Sequence, residues 1–190
     1  MTAPLLVTFA AGPAGSWRID RIAAVRGASL APAGRLAVLE GAAIDAPPNP
    51  VWQLRGATSH ARYVVGAERA ALLARQPELG RPEASRAALI PIRKREDWWD
   101  LAQDERRAIF EERSRHVGTG LTYLPAIARR LCHCRDFGEP FDFLTWFEYA
   151  PADSGVFEEL VGRLRDTEEW SYVAREVDIR LTRALPSEPG

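Results

Sequence analysis

The strongest periodic signal lies in the second half of the chain. RAALIPIRK, residues 86–94, is an almost unbroken apolar run of strand length. From Glu96 to about His116 the spacing predicts a helix, with Ala102, Glu105, Ile109, Glu112 and His116 on one face, Phe110 and Val117 beside it, and Gly118 and Gly120 at the expected stop. Two strand-like runs follow, roughly 125–135 and 141–149. DFGEP between them has the composition of a hairpin turn, so the pair should run antiparallel. Ser154 stands where it could cap a helix whose Phe157, Leu160, Val161 and Leu164 recur at helical spacing, and Thr167 could cap a shorter continuation through Trp170. Val177, Ile179 and Leu181 then alternate with Asp178, Arg180 and Thr182, as on a half-buried strand.

Strand, helix, strand, strand, helix, strand is the order of a ferredoxin-like unit, with both helices on one face of an antiparallel sheet. The other face needs cover. The first half offers strand candidates at Leu5–Phe9, Trp17–Val25 and Val51–Arg55 and a helix in AERAALLARQ, which together resemble a trimmed copy of the same unit. The expected fold class is therefore α+β: two antiparallel sheets curling into a barrel-like body with helices outside. No sequence repeat links the halves, and the duplication rests on element order alone. We divide one domain, 1–190, into a trimmed half (1–85), a complete half (86–183) and a frayed tail (184–190), with Pro- and Gly-rich loops at GAAIDAPPNP (41–50) and LGRPEAS (79–85).

Length and composition agree with one sizeable core: 190 residues, 46% hydrophobic and 27% charged. The 25 basic and 26 acidic residues nearly cancel without like-charge runs, which argues against nucleic acid as a partner. MTAPLLVTFAAG lacks the basic start of a signal peptide and is too short for a membrane span, so a cytoplasmic protein is expected. The cysteines, Cys132 and Cys134, stand two apart and would point the same way on a strand, which disfavours a disulfide. With His133 they offer only three close ligands in poor geometry for zinc.

Several residues could carry chemistry. His116, on an apolar face, could ligate iron, although the same pattern suits a core or capping histidine. In AIARRLCHC, Ile127, Arg129, Leu131 and His133 share one strand face and Ala128, Arg130, Cys132 and Cys134 the other, so one of two adjacent arginines must point inward. A buried guanidinium needs an anion, either a carboxylate of the core or an anionic ligand. Trp98 and Trp99, with Lys94 ahead of them, could form a flat apolar wall with a cation at its rim, or divide between core and surface. Glu169 in TEEW suits the helix dipole, and Gln76 ends a helix.

LIPIRKREDWW, then the stretch from DERRAIFEERSRHVGTGLTYLP to FDFLTWFEYAP, then LRDTEEWSYVAREVDIRLTR resemble the chlorite dismutase family, in particular its short, dimeric branch. HVGTGLTYLP and FDFLTWFEY are the most specific parts. WQLRGATSHARY and the region up to Gln76 extend the likeness more loosely. The resemblance implies a dimeric α/β-barrel type of fold, a homodimer, and haem b with His116 as proximal iron ligand and Arg129 over the distal face. It further implies that Glu169 accepts the proximal imidazole N–H, that Lys94 meets a haem propionate, that Trp98 and Trp99 line the pocket, and that Gln76 holds the arginine in place. The implied activity converts chlorite to chloride and dioxygen through Cl–O cleavage and O–O bond formation, with Arg129 steering the anion and retaining hypochlorite through charge-assisted hydrogen bonds.

Two rivals remain at this stage. The coprohaem decarboxylase branch shares the fold and the iron histidine, but it usually carries glutamine at the position of Arg129, and one group places a reactive tyrosine where this chain has Ile90. A haem-free binding module of the same barrel type would leave His116 packed in the core and Arg129 paired with a carboxylate.

Overall fold

A computed structural model describes residues 4–41, 47–58 and 62–184; the end of the expected tail and part of the 41–50 loop lie outside them. Eight strands close into one antiparallel barrel. In chain order they are β1 (Leu6–Gly12), β2 (Trp17–Arg26), β3 (Arg35–Glu40), β4 (Trp52–Thr58), β5 (Arg86–Lys94), β6 (Ala128–His133), β7 (Phe143–Tyr149) and β8 (Val173–Arg183). Around the barrel the order is β1, β3, β2, β8, β5, β7, β6, β4. The helices α1 (Gly66–Arg75), α2 (Glu96–Asp100), α3 (Gln103–Arg107), α4 (His116–Tyr123) and α5 (Ser154–Arg165) connect them. The α+β barrel is thus as expected, with β3 added: RLAVLE is short and bounded by glycines, and a run of that length carries little periodicity of its own.

Strand alternation divides the apolar residues into two cores. Phe9, Leu36, Leu54, Leu89, Leu144, Trp146 and Ile179 fill the barrel. On the outer face Ile90, Ile127 and Phe147 pack against Phe157, Leu160, Val161 and Leu164 of α5. Because β5 is covered on both sides, its sequence reads as a continuous apolar run. β6 and β7 pair antiparallel from Ala128↔Glu148 to His133↔Phe143, the hairpin that DFGEP announced.

Three local expectations are corrected. The helix from Glu96 to His116 is broken at Leu101 and Ala102, both extended. Arg106 donates to the carbonyls of Trp98 and Trp99, and the Glu105 carboxylate accepts from Ala102 N at 2.7 Å, so one helix ends and another starts. Ser154 lies inside α5, after Asp153, and its hydroxyl donates back to Pro151 O, so it does not cap the helix. Thr167 flanks a 3₁₀ turn, Glu168–Tyr172, and its hydroxyl likewise donates backwards, to Leu164 O.

Cys132 and Cys134 are free, buried in the barrel, and their thiols are pushed up by burial, Cys132 to about 11. Among the described residues no group of three metal-ligating side chains occurs, and no helix is long and apolar enough to cross a membrane.

Candidate active site

Between the outer face of β5, β6 and β7 and the covering helices lies an open-mouthed cavity. Its deep walls are apolar, with Ile90, Ile127, Phe147, Leu160 and Leu164 among them. His116 and Arg129 both line it, the first from α4 and the second from the sheet.

His116 opens α4, contrary to the expectation that it ends a helix. α3 runs into a π-helical turn, Ala108–Arg113, and Arg115 takes a left-handed conformation (φ 51°), after which His116 is the first helical residue and Gly118 and Gly120 fall inside the new helix. π-turns put extra residues into a helix and often mark functional sites. Here the turn presents Phe110, whose ring stacks on the imidazole at 4.3 Å and 20°.

Behind the imidazole stands Glu169, on the 3₁₀ turn before β8. Its Oε2 accepts from His116 Nδ1 at 2.6 Å and its Oε1 from Lys94 Nζ at 2.8 Å. Its backbone N donates to Ser114 Oγ at 2.9 Å. Burial pushes the Glu169 carboxyl upward, but the Lys94 ammonium and the His116 imidazole outweigh burial and hold it at about 2. With Nδ1–H committed to a carboxylate, Nε2 is left with its lone pair for an acceptor of electrons such as a metal.

Lys94, the chain's single lysine, lines the same cavity, but its ammonium is buried at 3% exposure, 4.6 Å over the Trp98 ring, and its partner within the protein is Glu169. An ammonium on the last residue of β5 has a carboxylate within reach inside the fold, and burial favours that pairing. The tryptophans also divide. Trp98 is buried in the cavity wall, whereas Trp99 turns away, stacks on Phe143 at 6.0 Å and carries the Arg135 guanidinium over its ring. Successive helical residues diverge by about 100°, so a Trp-Trp pair on α2 cannot share one wall.

Across the cavity, Arg129 projects from the outer face of β6, while Arg130 points the other way and pairs with Glu40. Burial lowers the Arg129 pKa from the usual arginine value, and its Nε is sealed from solvent without a hydrogen-bond partner. Gln76, the residue after α1, reaches the Arg129 main chain and not the guanidinium: its Nε2 donates to the carbonyl at 2.9 Å. Three further buried polar atoms without partners line the same cavity, Tyr63 OH, Trp98 Nε1 and His133 Nε2. Native proteins bury few such groups, and their concentration here marks a site for a ligand with acceptor groups. Tyr63 was not singled out in the sequence. His133 entered there only as a poor zinc ligand beside the two cysteines and by its place on the strand face of Arg129.

A family model, Chlorite dismutase, matches residues 37–185. A crystal structure of dimeric chlorite dismutases from Nitrobacter winogradskyi is similar at 60% identity, covering 93% of this chain and 99% of that one, with a TM-score of 0.86. A chlorite dismutase structure from Candidatus Nitrospira defluvii shares the fold at 19% identity and a TM-score of 0.63, over 95% of this chain and 91% of that one. A curated chlorite dismutase of Ideonella dechloratans is 33% identical over 89 residues, which is 47% of this chain and 29% of that relative, so the match spans less than a third of its length.

Proposed function

Because the chain belongs to the chlorite dismutase family, we propose that it binds haem b in the cavity between His116 and Arg129 and converts chlorite to chloride and dioxygen. The observation that carries this reading is the opposition of a carboxylate-anchored imidazole to a half-buried arginine whose sealed Nε has no partner among the described residues. A haem would fit what the cavity presents. The apolar walls suit a porphyrin body, and Tyr63 OH and Trp98 Nε1 are buried donors for acceptor groups at its edge. When bound, the haem iron supplies the centre for Cl–O cleavage and O–O bond formation.

The chain's own residues do the rest. His116 Nε2 would hold the iron, and Glu169 fixes the ring plane through Nδ1 and would strengthen the donor. Lys94 shares that carboxylate and keeps part of its charge from the imidazole, which tempers the effect. Arg129 binds the oxyanion through charge-assisted hydrogen bonds in a site with little water, where a fixed cation acts strongly. A fixed cation there would keep a small chlorine oxyanion from escaping into the pocket, so Arg129 supports durability as well as rate. No side chain needs to act as a general base. We further propose that the working form is a homodimer, as for the dimeric Nitrobacter relative.

Haemin titration should produce a strong Soret band that His116→Ala abolishes or greatly alters. Oxygen-electrode traces after chlorite addition should show release from the haem-loaded protein and a marked loss in Arg129→Ala. Conversion of coprohaem to haem in the presence of peroxide, without oxygen from chlorite, would hand the fold to the decarboxylase reading; Ile90 in the cavity wall has no phenol to carry that chemistry. Protein that stays colourless with haemin would favour the haem-free module.

A further inference from the structure

α4 has only eight residues, too few to hold a helix by propensity, and it starts after a left-handed Arg115 that has no side-chain acceptor for the free N–H groups of the first turn. The acceptor comes from further back. Glu111, in the π-turn, receives Val117 N on Oε2 at 2.6 Å and Gly118 N on Oε1 at 3.1 Å. Both oxygens of one carboxylate thus cap the helix that His116 begins, and the negative charge lies against the positive end of the helix dipole. The carboxylate lies close against the helix start: a Cβ at Gly118 would stand 3.4 Å from Glu111 Oε1, at the near edge of ordinary contact. Arg115 N in turn donates to Glu111 O at 2.9 Å, which holds the left-handed turn from the other side. A non-glycine residue in that conformation is disfavoured, so the surrounding bonds must offset it.

We propose that Glu111 is a positioning residue for the iron ligand, acting through the start of α4, and that the π-turn exists to deliver it together with Phe110. Adjacent in sequence, the two reach the same histidine by separate routes. Phe110 covers the ring face and Glu111 fixes the backbone from which the ring springs. Glu169 then needs to set only the rotation of the ring. His116 is constrained at three points, and the Glu111 contact is the one that determines where its Cα stands.

This inference rests on the haem reading above. The test is resonance Raman spectroscopy of the ferrous haem-loaded protein, with haem loss to excess apomyoglobin as a second readout, in Glu111→Ala, Glu111→Gln and Glu111→Asp. Glu111→Ala should shift the iron–histidine stretch to lower frequency and broaden it, and should weaken haem retention roughly 10-fold, the low end for a residue behind a ligand. Glu111→Gln, which keeps one oxygen acceptor without the charge, should fall between Ala and wild type. Glu111→Asp, too short to reach both N–H groups, should resemble Ala. A lowered melting temperature with an unmoved iron–histidine band in all three variants would make Glu111 a stabilising cap and overturn the proposal. Should Glu111→Ala not fold, the Gln variant alone decides by the same band. A wild-type protein that takes up no haem would instead refute the functional reading from which the inference starts.

Discussion

Behind His116, both carboxylate oxygens, the amide and the carbonyl of Glu169 all have partners, in Lys94, His116 and Ser114. Across the cavity, Arg129 has a sealed Nε without one, and the strap from Gln76 reaches only its carbonyl. The proximal wall is a closed ionic network that sets its geometry before any ligand arrives. The distal wall carries an uncompensated desolvation cost that an anion would relieve. Buried networks of the first kind stabilise when complete and fail badly when one member goes, whereas a group of the second kind costs stability while it waits. The two walls should therefore respond to mutation with opposite balances of stability and binding.

The largest expected effect is on the proximal side. Glu169→Ala leaves the Lys94 ammonium buried without a counter-ion, and breaking a buried pair in this way costs about 3–5 kcal/mol. For a chain of this size that lowers the melting temperature on the order of 10 °C, measurable by circular dichroism at pH 7. Arg129→Met, by contrast, removes a desolvated cation and should leave the melting temperature unchanged or raised. Equal losses in the two variants would end the distinction between the walls.

The sequence reading foresaw the two walls unequally. Element order and alternation were enough for the barrel; alternation put Arg129 and Arg130 on opposite faces, and only the family resemblance chose between them. What stayed hidden was anything set by a backbone break. The spacing from Glu96 to His116 reads as one helix because its apolar residues recur at a helical period through the extended residues Leu101 and Ala102 and the left-handed Arg115. The role of Glu111 was invisible for that reason: on an unbroken helix it would face away from His116. The pairing of Lys94 stayed hidden because a lysine at a strand end normally seeks solvent, and its partner Glu169 lies 75 residues away. β3 escaped because a six-residue strand between glycines gives no period to count.

A second difference is in acid response. His133, on the same strand face as Arg129, is driven down to about 4 by burial and by the nearby Arg62 charge, with Asp136 opposing. Its folded pKa lies below the unfolded value of about 6.5, so the unfolded chain binds the proton first. The stability that neutral His133 provides is complete above about pH 6.5 and is lost as pH falls towards 4, by on the order of 3 kcal/mol. Urea midpoints at pH 7.5 and 4.5 should converge in His133→Phe relative to wild type. An unchanged separation would place the acid sensitivity in other groups.

Binding should separate the walls in the other direction. With haem loaded, azide affinity of the ferric protein should fall roughly 10- to 150-fold in Arg129→Met, the range for losing a charged hydrogen bond of about 1.5–3 kcal/mol. Soret titration measures it directly. Full affinity in that variant would mean that the guanidinium does not meet the anion.

The smallest effect sharpens how the distal wall is held. Gln76 is exposed and its amide donates to a main-chain oxygen, so Gln76→Leu removes one neutral hydrogen bond, worth about 0.5–1.5 kcal/mol and nearer the lower figure at a solvated site. Azide affinity should then fall less than tenfold. The carbonyl of residue 129 survives in Arg129→Met, so a strap that acts on the main chain makes the two substitutions additive, within about 0.5 kcal/mol for azide binding in the double variant. A coupling well above that would mean that Gln76 swings from the carbonyl to the guanidinium once an anion is bound, and the distal wall would then be assembled by its ligand while the proximal wall is assembled by the fold.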